Sequence, residues 1–386
     1  MTKSSHIIKA AIIDDGANRE KCVSLKCSWV VKNGVVYIDR ELSANSHGTT
    51  CLQIVEKYAG VTNSEWYSIR ILNQETRCGN LGDFLCALNL CIKLNVQLIH
   101  LSMGSGYYSD LQPISSAVKR MTNNGIIFIA ALSNIGKVTY PACFEGVIGV
   151  KGDMHLHNDE YTVLPKTFEN IDFAASSIHE ITRSGLPFIT PAANSYAAPV
   201  ITAKTLFYLY NHPFAQYDEI YSYLVKGAIN LNRNDVSYFM ANSETSDTTV
   251  PVVAIVGFSS MWLKNGLSSL VKVFSINDYD CRVAIVSNIC TLSEYITIAP
   301  NEHLESYVKR LEYFYDCSLI LLILDDKTVM RNGVLSCVDL WILNRWVAFD
   351  PLLNNQLKKY NLLFQDEDQN TEKLFLQIVT FFESIT

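Results

Sequence analysis

Ile7-Ile-Lys-Ala-Ala-Ile-Ile-Asp-Asp-Gly16 is the stretch that decides the fold. Its Ile/Ala-rich run has strand length and ends in two carboxylates and a glycine, the composition of a turn. It reads as a buried strand entering a turn. Further along, Ser46-His47-Gly48-Thr49 precedes a helix-like stretch, Thr50–Tyr58, with Ser46 or Thr49 placed to cap it. Trp66–Leu72 is strand-like and Asp83–Leu94 helix-like. Val96–Ser102 follows as a strand, Ile114–Asn123 as a helix, and Gly125–Leu132 and Val147–Val150 as strands. Asn194–Tyr210 is an apolar helix after the small-residue turn Thr190-Pro-Ala-Ala. Strands alternating with helices need crossover connections, so the expectation is a parallel sheet covered on both faces.

This α/β domain is expected over residues 1–241. Residues 242–249 have little apolar content and read as a linker. The rhythm then restarts over 250–386, a second, smaller α/β domain. Val250–Val256, Arg282–Val286, Ser318–Leu324 and Trp341–Asp350 are its expected strands. Ser260–Phe274, Glu302–Tyr313 and Lys373–Glu383 are its expected helices.

Composition limits the partners. With 386 residues, 18% of them charged and a net charge of −7, the chain can bury a large core and presents no basic footprint for nucleic acid or anionic lipid. No segment reads as a membrane span or a secretory signal. The first candidate acid lies so near Met1 that no pro-segment is expected. Eleven cysteines, an odd number without metal-finger spacing, fit a reduced, cytoplasmic protein.

Three pieces of the first domain carry chemistry. Asp14 ends a buried strand, His47 opens a helix, and Ser195 opens another amid small residues. A serine hydroxyl needs a base to take its proton, and the base needs an orienting anion on its other nitrogen. The positive end of a helix dipole is expected to keep His47 neutral and to favour negative charge near Ser195. Side chains alternate along a strand, so only one carboxylate of Asp14 and Asp15 can meet His47. Asp15 is expected to be solvated or a turn cap.

Ala10-Ala-Ile-Ile-Asp-Asp-Gly16, Ser46-His-Gly-Thr49 and Asn194-Ser-Tyr-Ala-Ala-Pro199 resemble the Asp, His and Ser motifs of the subtilisin-like serine proteases. His47 follows Asp14 by 33 residues and Ser195 follows His47 by 148, in the chain order of that family. Phe128-Ile-Ala-Ala-Leu-Ser-Asn-Ile-Gly136 is similar to the strand ending in the family's oxyanion-hole asparagine, here Asn134. Leu98-Ile-His-Leu-Ser-Met-Gly-Ser-Gly106 is similar to the strand flanking the substrate. Tyr140-Pro-Ala and Gly146-Val-Ile-Gly-Val150 complete a match over residues 7–225.

The resemblance implies a subtilisin-like sheet, an Asp14–His47–Ser195 triad selected over Asp15, and an acyl-enzyme route. It also implies substrate-binding edges at Gly79 and Asn80 and at Ser102, Gly104, Ser105 and Gly106, with Tyr107 and Tyr108 walling a distal subsite. No cofactor is implied, and the short Glu56–Glu65 connection leaves no calcium loop. The family's usual Gly-Thr before the nucleophile is Ala193-Asn194 here. Alanine's narrower φ range is expected to shift that turn, and Asn194 tolerates left-handed backbone. The amide that Pro199 lacks is taken as one of the helix's unpaired first-turn donors.

Other features read blandly. His155 and His157 fit a solvated loop, and His100 a satisfied core or cleft residue. Pro251-Val-Val-Ala-Ile-Val-Gly257 resembles the opening of a phosphate loop but lacks its Gly-Lys-[Ser/Thr], so a non-catalytic recognition domain is expected over nucleotide binding. The combined expectation is an intracellular serine endopeptidase selective for a peptide or protein substrate. By family analogy it removes the leader of a ribosomally made precursor peptide. A peptide-binding scaffold without turnover and a peptide macrocyclase are the alternatives.

Overall fold

A computed structural model describes residues 6–40, 45–60, 63–164, 170–183, 185–229, 250–286, 295–298, 304–305, 307–308, 311, 315, 317–347, 349, 351–367 and 370–385. The chain forms two compact units, Met1–Gly106 with Asp110–Arg233, and Asn234–Thr386 with Tyr107–Ser109. The expected linker, 242–249, lies outside the described residues, as does part of the expected helix Glu302–Tyr313.

The first unit is built on a nine-stranded sheet. Strand β1 (Ile8–Asp14) runs through it, paired in parallel with β4 (Ser64–Arg70) on one side and β5 (Leu98–Leu101) on the other. β6 (Ile127–Ala131), β7 (Val147–Asp153) and β9 (Phe173–Ser176) continue beyond β5, all parallel. β2 (Leu25–Lys32) lies outside β4. Antiparallel additions finish both edges, β3 (Val35–Ile38) beside β2 and β8 (Tyr161–Val163) beside β9. A central strand must be apolar on both faces. Ala10 and Ile12 join a core with helices α1 (His47–Ala59) and α4 (Asn194–Asn211), while Ala11 and Ile13, equally buried, point the other way. Helices α2 (Leu81–Lys93) and α3 (Leu111–Thr122) pack together. A further hairpin, β10 (Glu180–Arg183) with β11 (Leu186–Ile189), precedes α4, and α5 (Tyr217–Gly227) follows it.

The second unit is a six-stranded parallel sheet in the order β14-β13-β15-β12-β16-β17. These strands are β12 (Val252–Val256), β13 (Cys281–Val286), β14 (Ile296–Ile298), β15 (Leu319–Leu324), β16 (Leu340–Asn344) and β17 (Leu362–Gln365). Helix α6 (Ser260–Ile276) and the helix Thr371–Ile385 cover one face through Leu267, Leu270, Phe274, Leu374, Phe375 and Ile378. Where one strand was expected over Trp341–Asp350, β16 stops at Asn344 and a short helix starts at Pro351. No helix among the described residues is long and apolar enough to cross a membrane.

Candidate active site

Two adjacent carboxylates hold one histidine. At the end of β1, Asp14 turns its side chain toward α1, and the His47 ring donates from Nδ1 to Asp14 Oδ2 at 2.9 Å and Oδ1 at 3.1 Å. Asp15 takes the main chain of the same residue. Its Oδ2 accepts from His47 N at 3.0 Å and its Oδ1 from Gly48 N at 2.8 Å. These are two of the donors that a helix start leaves without intrahelical partners. Ser46, the N-cap, accepts a third from Thr49 N and donates its hydroxyl to Gly16 O. Asp15 is therefore a buried helix-start acceptor, 3% exposed, and not a solvated residue. Glycine at position 48 is required by this close approach, because a Cβ there would meet Gly16 O at 2.6 Å.

On its other side the His47 ring reaches the nucleophile candidate. Ser195 Oγ lies 3.0 Å from His47 Nε2, and with Nδ1 donating to Asp14 the hydroxyl donates to Nε2. All three are buried, Asp14 most deeply at 1% exposure, with His47 at 8% and Ser195 at 5%. Burial alone would push the imidazole pKa down. The Asp14 carboxylate overcomes it and raises His47 well above the ordinary imidazole value. The helix end, expected to keep His47 neutral, is thus outweighed by a full charge in contact. Burial opposes ionisation of Asp14 as well, and His47 with the Asp15 N–H holds its pKa below the usual carboxylate value. Asp15 is shifted upward, by burial first and by the Asp14 charge second.

The turn before Ser195 needs no glycine. Ala193 has φ −157° and ψ 146°, extended backbone open to any residue, and Asn194 is already helical, so this turn uses no left-handed residue. The Asn194 side chain instead ties two strand ends together. Its Oδ1 accepts from Gly152 N at 2.7 Å and its Nδ2 donates to Ser133 O at 2.6 Å. Asn194 N donates to Asn134 Oδ1 at 2.8 Å. This leaves the exposed Asn134 with an Nδ2 that makes no hydrogen bond among the described residues. Pro199 also plays a different part from the one expected. The helix starts at Asn194, so the missing amide lies past the unpaired first turn, and it is the Ser195 carbonyl that loses its helical donor.

The expected substrate edges are partly spent inside the fold. Asn80 caps α2, accepting from Asp83 N and donating to its carboxylate. Gly79 packs beside Leu72 and the Ile71 carbonyl. Ser105 pairs its N–H and C=O with Tyr140 and gives its hydroxyl to Asp110. Gly104 is required by the same approach, since a Cβ there would meet Tyr140 O at 2.6 Å. Ser102 donates to Ser195 O. Gly106 closes the first of the two segments that make up the first unit, Tyr107 is 70% exposed, and the Tyr108 side chain lies outside the described residues.

Two neighbours of the array were not read from the sequence. Cys51 stands one turn after His47 on α1, with Sγ 3.8 Å from Nδ1 and 3.9 Å from Nε2. Tyr196 lays its ring on the imidazole at 5.2 Å. The i, i+4 spacing from His47 and the position next to Ser195 were the available signals. Asp14, His47 and Cys51 are also the described group with metal-ligand proximity, though carboxylate and imidazole already bind each other. His155 and His157 sit in a turn where their amides donate to Asp153 and Glu160. Near the end of α1, Glu56 accepts from Ser24 N and Ser24 Oγ.

Asp14, His47 and Ser195 are thus joined by hydrogen bonds at a strand end and two helix starts of a parallel α/β sheet, the arrangement that activating a serine hydroxyl requires. The chain is 24% identical over 204 residues to the minor extracellular protease Epr of Bacillus subtilis, covering 50% of this chain and 30% of that one. It is 25% identical over 192 residues to a thermostable alkaline protease of Halalkalibacterium halodurans, covering 44% and 52%. The chain thus spans about half or less of these curated relatives. Among solved structures it is similar to a lanthipeptide protease (TM-score 0.47, 14% identity, 58% of this chain and 82% of that one) and to a cold adapted subtilisin-like serine proteinase (0.46, 18%, 60% and 85%). No family profile matches the chain. The chain is related to the subtilisin-like proteases.

Proposed function

We propose that the first unit is a serine endopeptidase with Asp14, His47 and Ser195 as its triad. The observation that carries this reading is the unbroken Asp14–His47–Ser195 chain of hydrogen bonds, 2.9 Å and 3.0 Å long at its two links. His47 takes the Ser195 proton as Oγ attacks a peptide carbonyl, and later gives it to the leaving amine. Asp14 holds the ring with Nδ1 protonated and stabilises the imidazolium. The oxyanion is stabilised by the Ser195 N–H and by Asn134 Nδ2, whose Oδ1 is fixed by Asn194 N; one such donor is worth about 3 kcal/mol. Water then releases the acyl group.

Ser195→Ala is expected to abolish peptide cleavage and labelling by a fluorophosphonate while the thermal melt is unchanged. Full labelling of that variant would sink the assignment.

The finer reading is a selective processing peptidase of a reducing, intracellular compartment. The support is that every described cysteine, including the exposed Cys78, is a free thiol. Unrestricted cleavage in such a compartment is harmful, so the second unit is assigned to gripping a precursor peptide. The test is mass spectrometry of a peptide encoded beside this protein. A cleaved leader is expected. Loss of water relative to the hydrolysed product would indicate cyclisation, and binding with no acyl-enzyme would indicate a scaffold.

A further inference from the structure

Pro199 leaves the main-chain oxygen of Ser195 without the N–H that the fourth residue onward normally supplies. A buried carbonyl requires a donor, and two side chains offer one. Ser102, just past β5, donates its hydroxyl to Ser195 O at 2.8 Å. The Cys51 thiol, a weaker donor, stands 3.6 Å from the same oxygen and 3.4 Å from Ser102 Oγ. Behind Ser102 lies His100, fully buried on β5, with Nε2 2.8 Å from Ser102 Oγ and Nδ1 2.7 Å from Thr202 Oγ1 on α4. The Thr202 hydroxyl also donates to Ala198 O at 2.9 Å. The circuit leaves the Ser195 helix, passes through the strand and returns to the same helix.

Either neutral tautomer gives up one contact, and which contact is lost sets the direction. Ser102 has one hydroxyl hydrogen and two possible acceptors, Ser195 O and His100 Nε2. If His100 carried its hydrogen on Nδ1, Ser102 would have to abandon one of them. If the hydrogen is on Nε2, it goes to Ser102 Oγ, the Ser102 hydrogen goes to Ser195 O, and Thr202 donates to Nδ1 and gives up Ala198 O. That helical carbonyl still faces the Thr202 main-chain N–H four residues on, whereas Ser195 O has no helical donor to fall back on. A protonated ring would serve every contact. However, burial holds His100 neutral by pulling its pKa down to about 3, with the Asp14 charge opposing and the His47 charge adding to the fall.

We propose that His100 is a positioning residue for the nucleophile. Held as its Nε2–H tautomer, it aims the Ser102 hydroxyl at the Ser195 carbonyl and so fixes the turn that presents Oγ to His47. Ser102, expected as a substrate contact, acts here through its hydroxyl on the enzyme's own chain. The proposal rests on reading Ser195 as the nucleophile.

Two measurements test it. In the ¹⁵N-labelled wild-type protein, long-range ¹H–¹⁵N correlation of the His100 ring is expected to show the Nε2–H tautomer from pH 5 to 9. An Nδ1–H ring would overturn the proposal. The second measurement is the rate of fluorophosphonate labelling at Ser195. His100→Phe and Ser102→Ala are each expected to lower it about tenfold to a hundredfold. The double variant should be no slower than the slower single one, since the two residues act as one unit. His100→Gln, whose amide can donate to Ser102, should recover most of the rate. Unchanged rates in both single variants, or losses that multiply, would also overturn it. Should a variant fail to fold, the wild-type tautomer still decides. Should wild-type Ser195 resist labelling, the nucleophile reading fails, while the ring tautomer still judges the circuit.

Discussion

The starts of α1 and α6 share a local architecture and differ in what faces them. Each helix start lies at the end of a buried parallel strand, β1 for α1 and β12 for α6, and each has a serine N-cap, Ser46 or Ser259. At α1 the neighbouring carboxylates belong to the end of β1, so they fix the main chain and leave the His47 ring free to reach Ser195. At α6 a carboxylate from beyond β17, Glu367, accepts from both Ser259 N and Ser259 Oγ. Asn344 at the end of β16 donates to the same carboxylate and to Gly257 O. A phosphate loop needs that end of the helix for an anion. Here the chain has supplied the anion itself. A helix start is thus a general electrostatic resource, and the residues across from it decide whether it serves chemistry or closure.

That contrast can be broken, beginning with the largest effect. Asp14→Asn should lower the labelling rate at Ser195 about 10⁴-fold, because the ring loses its tautomer and its counter-charge. A loss under tenfold would make Asp14 no more than a strand end. Asp15→Ala removes a buried acceptor from two amides at once, each worth about 1–3 kcal/mol if left unsatisfied. A lower melting temperature and slower labelling are both expected, and an unaltered protein would make the start of α1 no more demanding than that of α6.

The pH profile sharpens the same point. The His47 pKa is raised in the folded chain, so the neutral base appears only as pH climbs above the ordinary imidazole range, and labelling should rise there. By linkage, a raised pKa stabilises the fold below the unfolded value and that stability is lost as pH rises through the folded one. Titration of activity and melting temperature against pH should therefore move in opposite directions across that step. A rate that is flat above pH 6 contradicts the raised value. Smallest of all, Ser259→Ala should cost about 1 kcal/mol of stability in the second unit with no change at Ser195. Calorimetric titration with ATP and magnesium should give no heat; measurable binding would mean that Glu367 yields its place.

The strand end at Asp14 and the helix starts at His47 and Ser195 were legible because turn and cap chemistry is local. The helix expected over Asp83–Leu94 appears as Leu81–Lys93, and that over Asn194–Tyr210 as Asn194–Asn211. The edge of the sheet was not read, although Asn33-Gly34 between β2 and β3 is a strong hairpin signal, with φ of 53° and 74°. Short strands such as β8, β10 and β11 carry too few residues to show a period. At the site, the role of Asp15 was hidden because its partners are backbone amides from an element 32 residues away. The effect of Pro199 was in reach of the sequence, since the helix begins at the expected Asn194 and counting back four residues from the missing amide gives the Ser195 carbonyl.

The place of β1 between β4 and β5 has a kinetic consequence. Its amides belong to the part of a sheet that opens only when the whole unit unfolds, so Ala10 to Ile13 should be among the slowest to exchange with solvent. Asp14 is the last residue of that strand. The orienting carboxylate is therefore anchored to the most persistent part of the unit, and its alignment with His47 should survive every opening short of global unfolding.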